Sequence, residues 1–133
     1  GDELMNKYRE KLLRSVGLDT TIENIENGLP FIWSRISSHR KMNDEFIREF
    51  ADNLNWGDIC STKRLSDEIL LEFGERIPWN IYLRHFSVPF NILKKFITKS
   101  SIRSLDYVAT YTLSDLEKEE IQRVLDFKYM FEK

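Results

Sequence analysis

Apolar positions along this chain fall into register around three tryptophans. Trp33, Trp56 and Trp79 recur every 23 residues, and the segments they open read WSRISSHRKMNDEFIREFADNLN, WGDICSTKRLSDEILLEFGERIP and WNIYLRHFSVPFNILKKFITKSS. Counting each Trp as position zero, position three holds Ile36, Ile59 and Tyr82, position nine Met42, Leu65 and Val88, and position thirteen Phe46, Ile69 and Ile92. Position seventeen is Phe50, Phe73 and Phe96, and position twenty-one holds Leu54 and Ile77 before the column fails at Ser100. Self-similarity at a period of this size predicts an array of stacked supersecondary units, with the Trp, Ile and Phe columns as one continuous core.

Each segment predicts two helices. Positions zero to about six form a short one, in which the Trp and the residue three later share a face. Position ten is then Asn43, Ser66 or Pro89, residue types suited to a helix start, and two segments continue Asp-Glu, which favours the positive helix terminus. The longer helix carries its apolar stripe at positions thirteen, fourteen, seventeen, eighteen and twenty-one, and the small Ala51 and Gly74 on that stripe admit a close neighbour.

The flanks read as helices too. From Asn6 to Val16 the residues Tyr8, Leu12, Leu13 and Val16 follow helical spacing, and Gly17 sits where a left-handed cap belongs. Thr20 with Glu23 makes a capping box for a second short helix, with Ile22 and Ile25 on one face and Gly28 and Pro30 closing it. Ser114 with Glu117 makes another, opening a helix whose Leu116, Ile121, Val124, Leu125, Tyr129 and Phe131 are placed to pack. Apolar alternation never persists and no Asn-Gly or Asp-Gly hairpin turn occurs, so no strand is predicted. The expected fold is all-α: one helical-repeat domain over 1–133, with an N-terminal cap (1–32), three helix-pair repeats (33–101) and a C-terminal cap (102–133).

The pattern Trp-x-x-Ile-Ser/Cys, then Met/Leu-Asn/Ser-Asp-Glu-Phe/Ile, then Glu-Phe, resembles short tryptophan-containing helical repeats found in proteins of large DNA viruses and some phages. It covers Trp33 to Ser101, and the third segment departs from it with Pro89 and Lys95. The resemblance implies a helical repeat fold and a viral origin, and the expected interaction module would then act on a host or viral protein. It implies no catalytic residues.

Composition narrows the partner. Twenty basic against 22 acidic residues leave a net charge of −2, so no global field points to nucleic acid or a membrane surface. No run approaches the roughly 20 apolar residues of a membrane span, and the expectation is a soluble, cytoplasmic protein. The lone Cys60 allows no internal disulfide, which fits a reducing compartment.

Candidate chemistry is confined to the segments joining short to long helices, where Arg35, His39, Arg40, Lys41, Lys63, Arg64, Arg84 and His85 gather at related positions. One reading makes them a phosphate-tracking ridge that binds nucleic acid weakly. The other has bases favoured at the end of one helix and Asp44, Glu45, Asp67 and Glu68 at the start of the next, which also screens the ridge. His39 and His85 share position six but lie two repeats apart, too far for one metal ion. No phosphate loop, His-Glu-x-x-His motif or carboxylate cluster is present, so no metal or cofactor is predicted. Cys60 shares position four with Ser37 and Leu83, as a packed small residue does. The reading is non-enzymatic: a protein-protein interaction module first, a nucleic-acid binder through the basic loops second.

Overall fold

Most helices in this chain start where a short polar side chain turns back to cap them, while two follow Pro78 and Pro89 with no such bond. The computed structural model describes residues 2–27, 31–39, 41–103 and 113–132, and among these it holds ten α-helices and no strand. Asn43, Asn55, Ser66 and Ser114 each accept from the N–H three residues on, opening α4 (Asp44–Phe50), α5 (Trp56–Thr62), α6 (Asp67–Glu72) and α10 (Asp115–Lys128). Glu117 returns a bond by accepting from the Ser114 N–H at 2.9 Å, completing that capping box. Gly17, at φ +88°, takes the left-handed conformation that closes α1 (Asp2–Ser15).

Two starts differ from expectation. Thr21, not Thr20, caps α2 (Ile22–Glu26), and the Glu10 carboxylate accepts from the Ile22 N–H at 2.7 Å. That tertiary bond selects between two adjacent threonines with the same local chemistry. Further on, Thr98 and Ser101 form a capping box that opens α9 (Lys99–Ile102), where the third segment was expected to end a longer helix. Gly28, Pro30 and the segment 104–112 lie outside the described residues.

The second helix of each segment, expected to be the longer, is not: it spans six or seven residues against seven in the first. α4 ends at Phe50, α6 at Glu72 and α8 (Phe90–Phe96) at position seventeen of its segment. For α4 and α6 the reason is visible at the next tryptophan. The Trp56 indole N–H donates to the Ala51 carbonyl at 3.0 Å, and the Trp79 indole N–H to the Gly74 carbonyl at 2.8 Å. Carbonyls left over at a helix end are satisfied by a side chain five residues on, and the chain turns there.

The chain divides into two compact units, Gly1–Lys63 and Arg64–Lys133. In the first, α1 packs on α2 and α4, and α3 (Phe31–Ser37) packs on α5. The Tyr8 hydroxyl donates to Glu45 at 2.6 Å, and the Arg9 guanidinium pairs with Glu49 at 3.1 Å while lying 4.9 Å over the Phe50 ring. Phe50 itself is fully buried between Phe46 and Trp33. Buried Ser37 joins the short helices, donating to the Trp33 carbonyl and accepting from the Asn55 N–H at 2.7 Å.

In the second unit α6 packs on α8, and α7 (Trp79–His85) packs on α9. Trp79 stacks on Phe96 with centroids 5.2 Å apart and meets Tyr82 edge-on. A Cβ on Gly74 would collide with the Phe96 ring, so only glycine fits beside this stack. Lys128 of α10 donates to the Lys95 and Ile97 carbonyls at 3.2 and 2.7 Å, placing a cation at the end of α8. Burial there pulls the Lys128 pKa below its ordinary value.

Residues three, four, nine, thirteen and fourteen positions after each Trp are buried in all three segments. The phenylalanines at position seventeen are not equivalent: Phe50 is wholly buried, while Phe73 and Phe96 are half-buried. Leu116 and Phe131, placed to pack on the sequence pattern, are 76% and 91% exposed. Truncating a buried phenylalanine typically costs about 3–5 kcal/mol. Phe50→Ala is expected to lose that much in urea denaturation, and Phe73→Ala less than half as much. Equal losses would contradict the burial difference.

Candidate interaction surface

The basic residues singled out from the sequence are divided between the two units. In the first, Arg35 is exposed in the last turn of α3, where a cation complements the helix dipole. His39 is half-buried, and its Nδ1 accepts from the Lys41 N–H at 3.3 Å, so the imidazole folds the α3–α4 loop back on itself. Lys41 is exposed, and half-buried Lys63 closes α5 by donating its N–H to the Ile59 carbonyl at 2.8 Å. Arg40 lies outside the described residues.

In the second unit the structure brings several of them together. Arg64 Nη1 donates to the Ser87 carbonyl at 3.0 Å, and its guanidinium lies 5.4 Å over the Phe86 ring. Phe86 in turn contacts Tyr82 at 5.1 Å and His85 at 6.2 Å between ring centroids. Below them the Tyr82 hydroxyl accepts from the Leu65 N–H at 3.0 Å. The loops before α6 and α8 are thus tied by a stacked cation and a buried hydroxyl. Arg84 and His85 are exposed in the last turn of α7. This cluster holds the fold together: the Arg64 guanidinium commits one donor edge to a carbonyl and one face to a ring, which narrows what it offers a phosphate.

Cys60 is fully buried, and burial pushes its thiol up to about 12. The thiolate needed of a nucleophile is therefore not formed near neutral pH. Among the described residues no group of three or more His, Cys, Asp or Glu side chains is placed to hold a metal ion. No helix there is long and apolar enough to cross a membrane.

The feature that sequence reasoning missed is the outward face of α10. Ile121 and Leu125 are buried, and Lys94 bonds Glu120 at 2.7 Å along one side of the helix. On the side away from Ile121 and Leu125, Leu116 and Phe127 are 76% and 75% exposed, followed by Met130 and Phe131 in the turn beyond. The signal was present: Leu116 and Phe127 are 11 residues apart, three helical turns, and neither shares the Ile121–Leu125 face. A second, smaller exposed apolar group, Leu4 and Met5, opens α1.

Cys60 also sets a pH dependence. Raising an acid's pKa on folding means that the folded state keeps its proton after the unfolded state has lost it. Below the ordinary 9.0 both states hold the proton and stability is unaffected, whereas between 9.0 and about 12 only the unfolded state releases it. Stability is expected to fall as pH rises through that window, and less so in Cys60→Ala. Parallel pH profiles for the two proteins would contradict it. No family model, curated protein or solved structure matches this chain.

Proposed function

We propose that this chain is a non-enzymatic protein-binding module, built as three 23-residue helix-pair units between N- and C-terminal capping helices. The recurring indole-to-carbonyl bond at Trp56 and Trp79, and burial at matching positions of the three segments, support the repeated unit. The tryptophan-repeat resemblance carries the further proposal of a viral protein acting on a host or viral protein in the cytoplasm of an infected cell.

One observation carries the binding function. A helix that only closes an array needs a polar outer face. α10 instead presents Leu116 and Phe127 to solvent, continued by Met130 and Phe131. Exposed apolar clusters of this kind mark docking surfaces for other proteins. The basic loops support the reading from the other side, since Arg64 is engaged with Ser87 and Phe86, and Asp67 and Glu68 begin the helix three residues later. Such a ridge is expected to hold oligonucleotides weakly at low salt and to release them near physiological ionic strength, where fields reach only about 8 Å.

The test places a photo-reactive amino acid at position 127 and, separately, at position 84 of the full chain. Irradiation in a cell extract is expected to give a protein adduct from position 127 that Leu116→Asp weakens, and oligonucleotide binding that disappears at physiological salt. Nucleic-acid adducts from position 84 at that salt, with none to protein from position 127, would overturn the reading.

A further inference from the structure

The outward face of α10 has an internal symmetry that selects its occupant. Leu116, Glu120, Arg123 and Phe127 follow one another at intervals of four, three and four residues, the spacing of a seam along one helix face. The order of types along it is apolar, acidic, basic, apolar. A two-fold axis perpendicular to the helix, at the level midway between Ile121 and Gln122, carries Leu116 onto Phe127 and Glu120 onto Arg123. An antiparallel copy of the same helix therefore meets every apolar group with an apolar group and every charge with its opposite.

We propose that this face docks a second copy of the chain, with the α10 helices antiparallel and crossing at the level of Ile121 and Gln122. The proposal rests on the reading of α10 as a docking surface and goes beyond it by naming the partner. Closed pairs use one surface patch twice, which requires the patch to complement itself under the two-fold. Here the complementarity holds at all four positions, and sliding one helix along the other would set apolar groups against charges. Leu116 and Phe127 are about three-quarters exposed and have apolar area to lose, which no other helix of the described chain offers at both its ends. Glu120 already accepts from Lys94, yet its side chain remains 40% exposed, and a carboxylate has a second oxygen for Arg123 of the other copy. The Lys94 pair is a surface pair of small worth, so replacing Glu120 leaves the fold intact.

The seam spans about 16 Å of helix, from its 1.5 Å rise per residue. A patch of that length belongs to the class of small, reversible interfaces. The wild-type chain is expected to pass from monomer toward dimer as its concentration rises from micromolar to millimolar in sedimentation equilibrium.

The charges provide the decisive test. Glu120→Arg alone sets a new guanidinium against Arg123 twice across the axis, and Arg123→Glu alone sets a new carboxylate against Glu120 twice. Each is expected to weaken self-association about tenfold or more, since like charges in contact are strongly disfavoured. In an equimolar mixture of the two single variants the mixed dimer has opposite charges at both contacts, because one chain carries two guanidiniums at these positions and the other two carboxylates; the double variant restores both contacts within its own homodimer. Association is expected to return in the double variant, which also shows that the substituted helix folds. Dimers that ignore the single reversals, or a double variant that stays as weak as the single ones, would overturn the proposal. A wild-type chain that remains monomeric at millimolar concentration would overturn it as well. If position 127 then still photo-crosslinks to a different protein, the binding reading stands with another occupant, and if it crosslinks to nothing, both fall together.

Discussion

A helix end leaves carbonyl groups without partners, and in this protein a tryptophan supplies one. The Trp56 and Trp79 indoles reach back five residues to the carbonyls of Ala51 and Gly74, each bond lying between the end of one helix and the start of the next. An indole has only one donor and no acceptor, so the ring must be oriented for that bond, and the orientation dictates what its faces touch. At Trp79 the consequence is a near-parallel stack on Phe96 and an edge contact with Tyr82, whose hydroxyl goes on to hold Leu65. The absence of a side chain at Gly74 follows from the same geometry, because the Phe96 ring occupies the space a Cβ would need.

Much of this was legible because it is local. Capping by Asn43, Asn55, Ser66 and Ser114 requires only a short polar side chain three residues before an N–H, and the left-handed turn at Gly17 requires only the missing Cβ. Buried columns three, nine and thirteen residues after each Trp were equally readable, since they follow from helical periodicity. What was not readable depends on neighbours distant in sequence. Thr20 and Thr21 satisfy the same rule, and Glu10, 12 residues upstream of Ile22, decides between them. Phe50, Phe73 and Phe96 occupy one column, yet only Phe50 has Trp33, Phe46 and Arg9 around its ring and is fully buried. Thr98 and Ser101 lack the usual Glu of a capping box and fell within an apolar register that hid the start of α9. The boundary between the units, at Lys63 and Arg64, carries no glycine, proline or change of composition to mark it.

The candidate site shows the same division. The basic residues were found by repeat position, but position says nothing of what a guanidinium touches, and Arg64 turns out to be committed to Ser87 and Phe86. Leu116 and Phe131 looked like core because apolar residues at helical spacing usually are. A helix packed on one side only has room for one apolar stripe, and Ile121 and Leu125 fill it. The second stripe is left outside, where a partner is the remaining way to bury it.

Replacing Trp79 with benzothienylalanine, which keeps the shape of the ring and removes the N–H, isolates the bond on which this architecture depends. With the Gly74 carbonyl then buried and unpaired, the loss in urea denaturation is expected to be about 1–3 kcal/mol. A loss below about 0.5 kcal/mol, less than a typical hydrogen bond contributes, would mean that the indole fills space without holding the helix end, and would contradict the account.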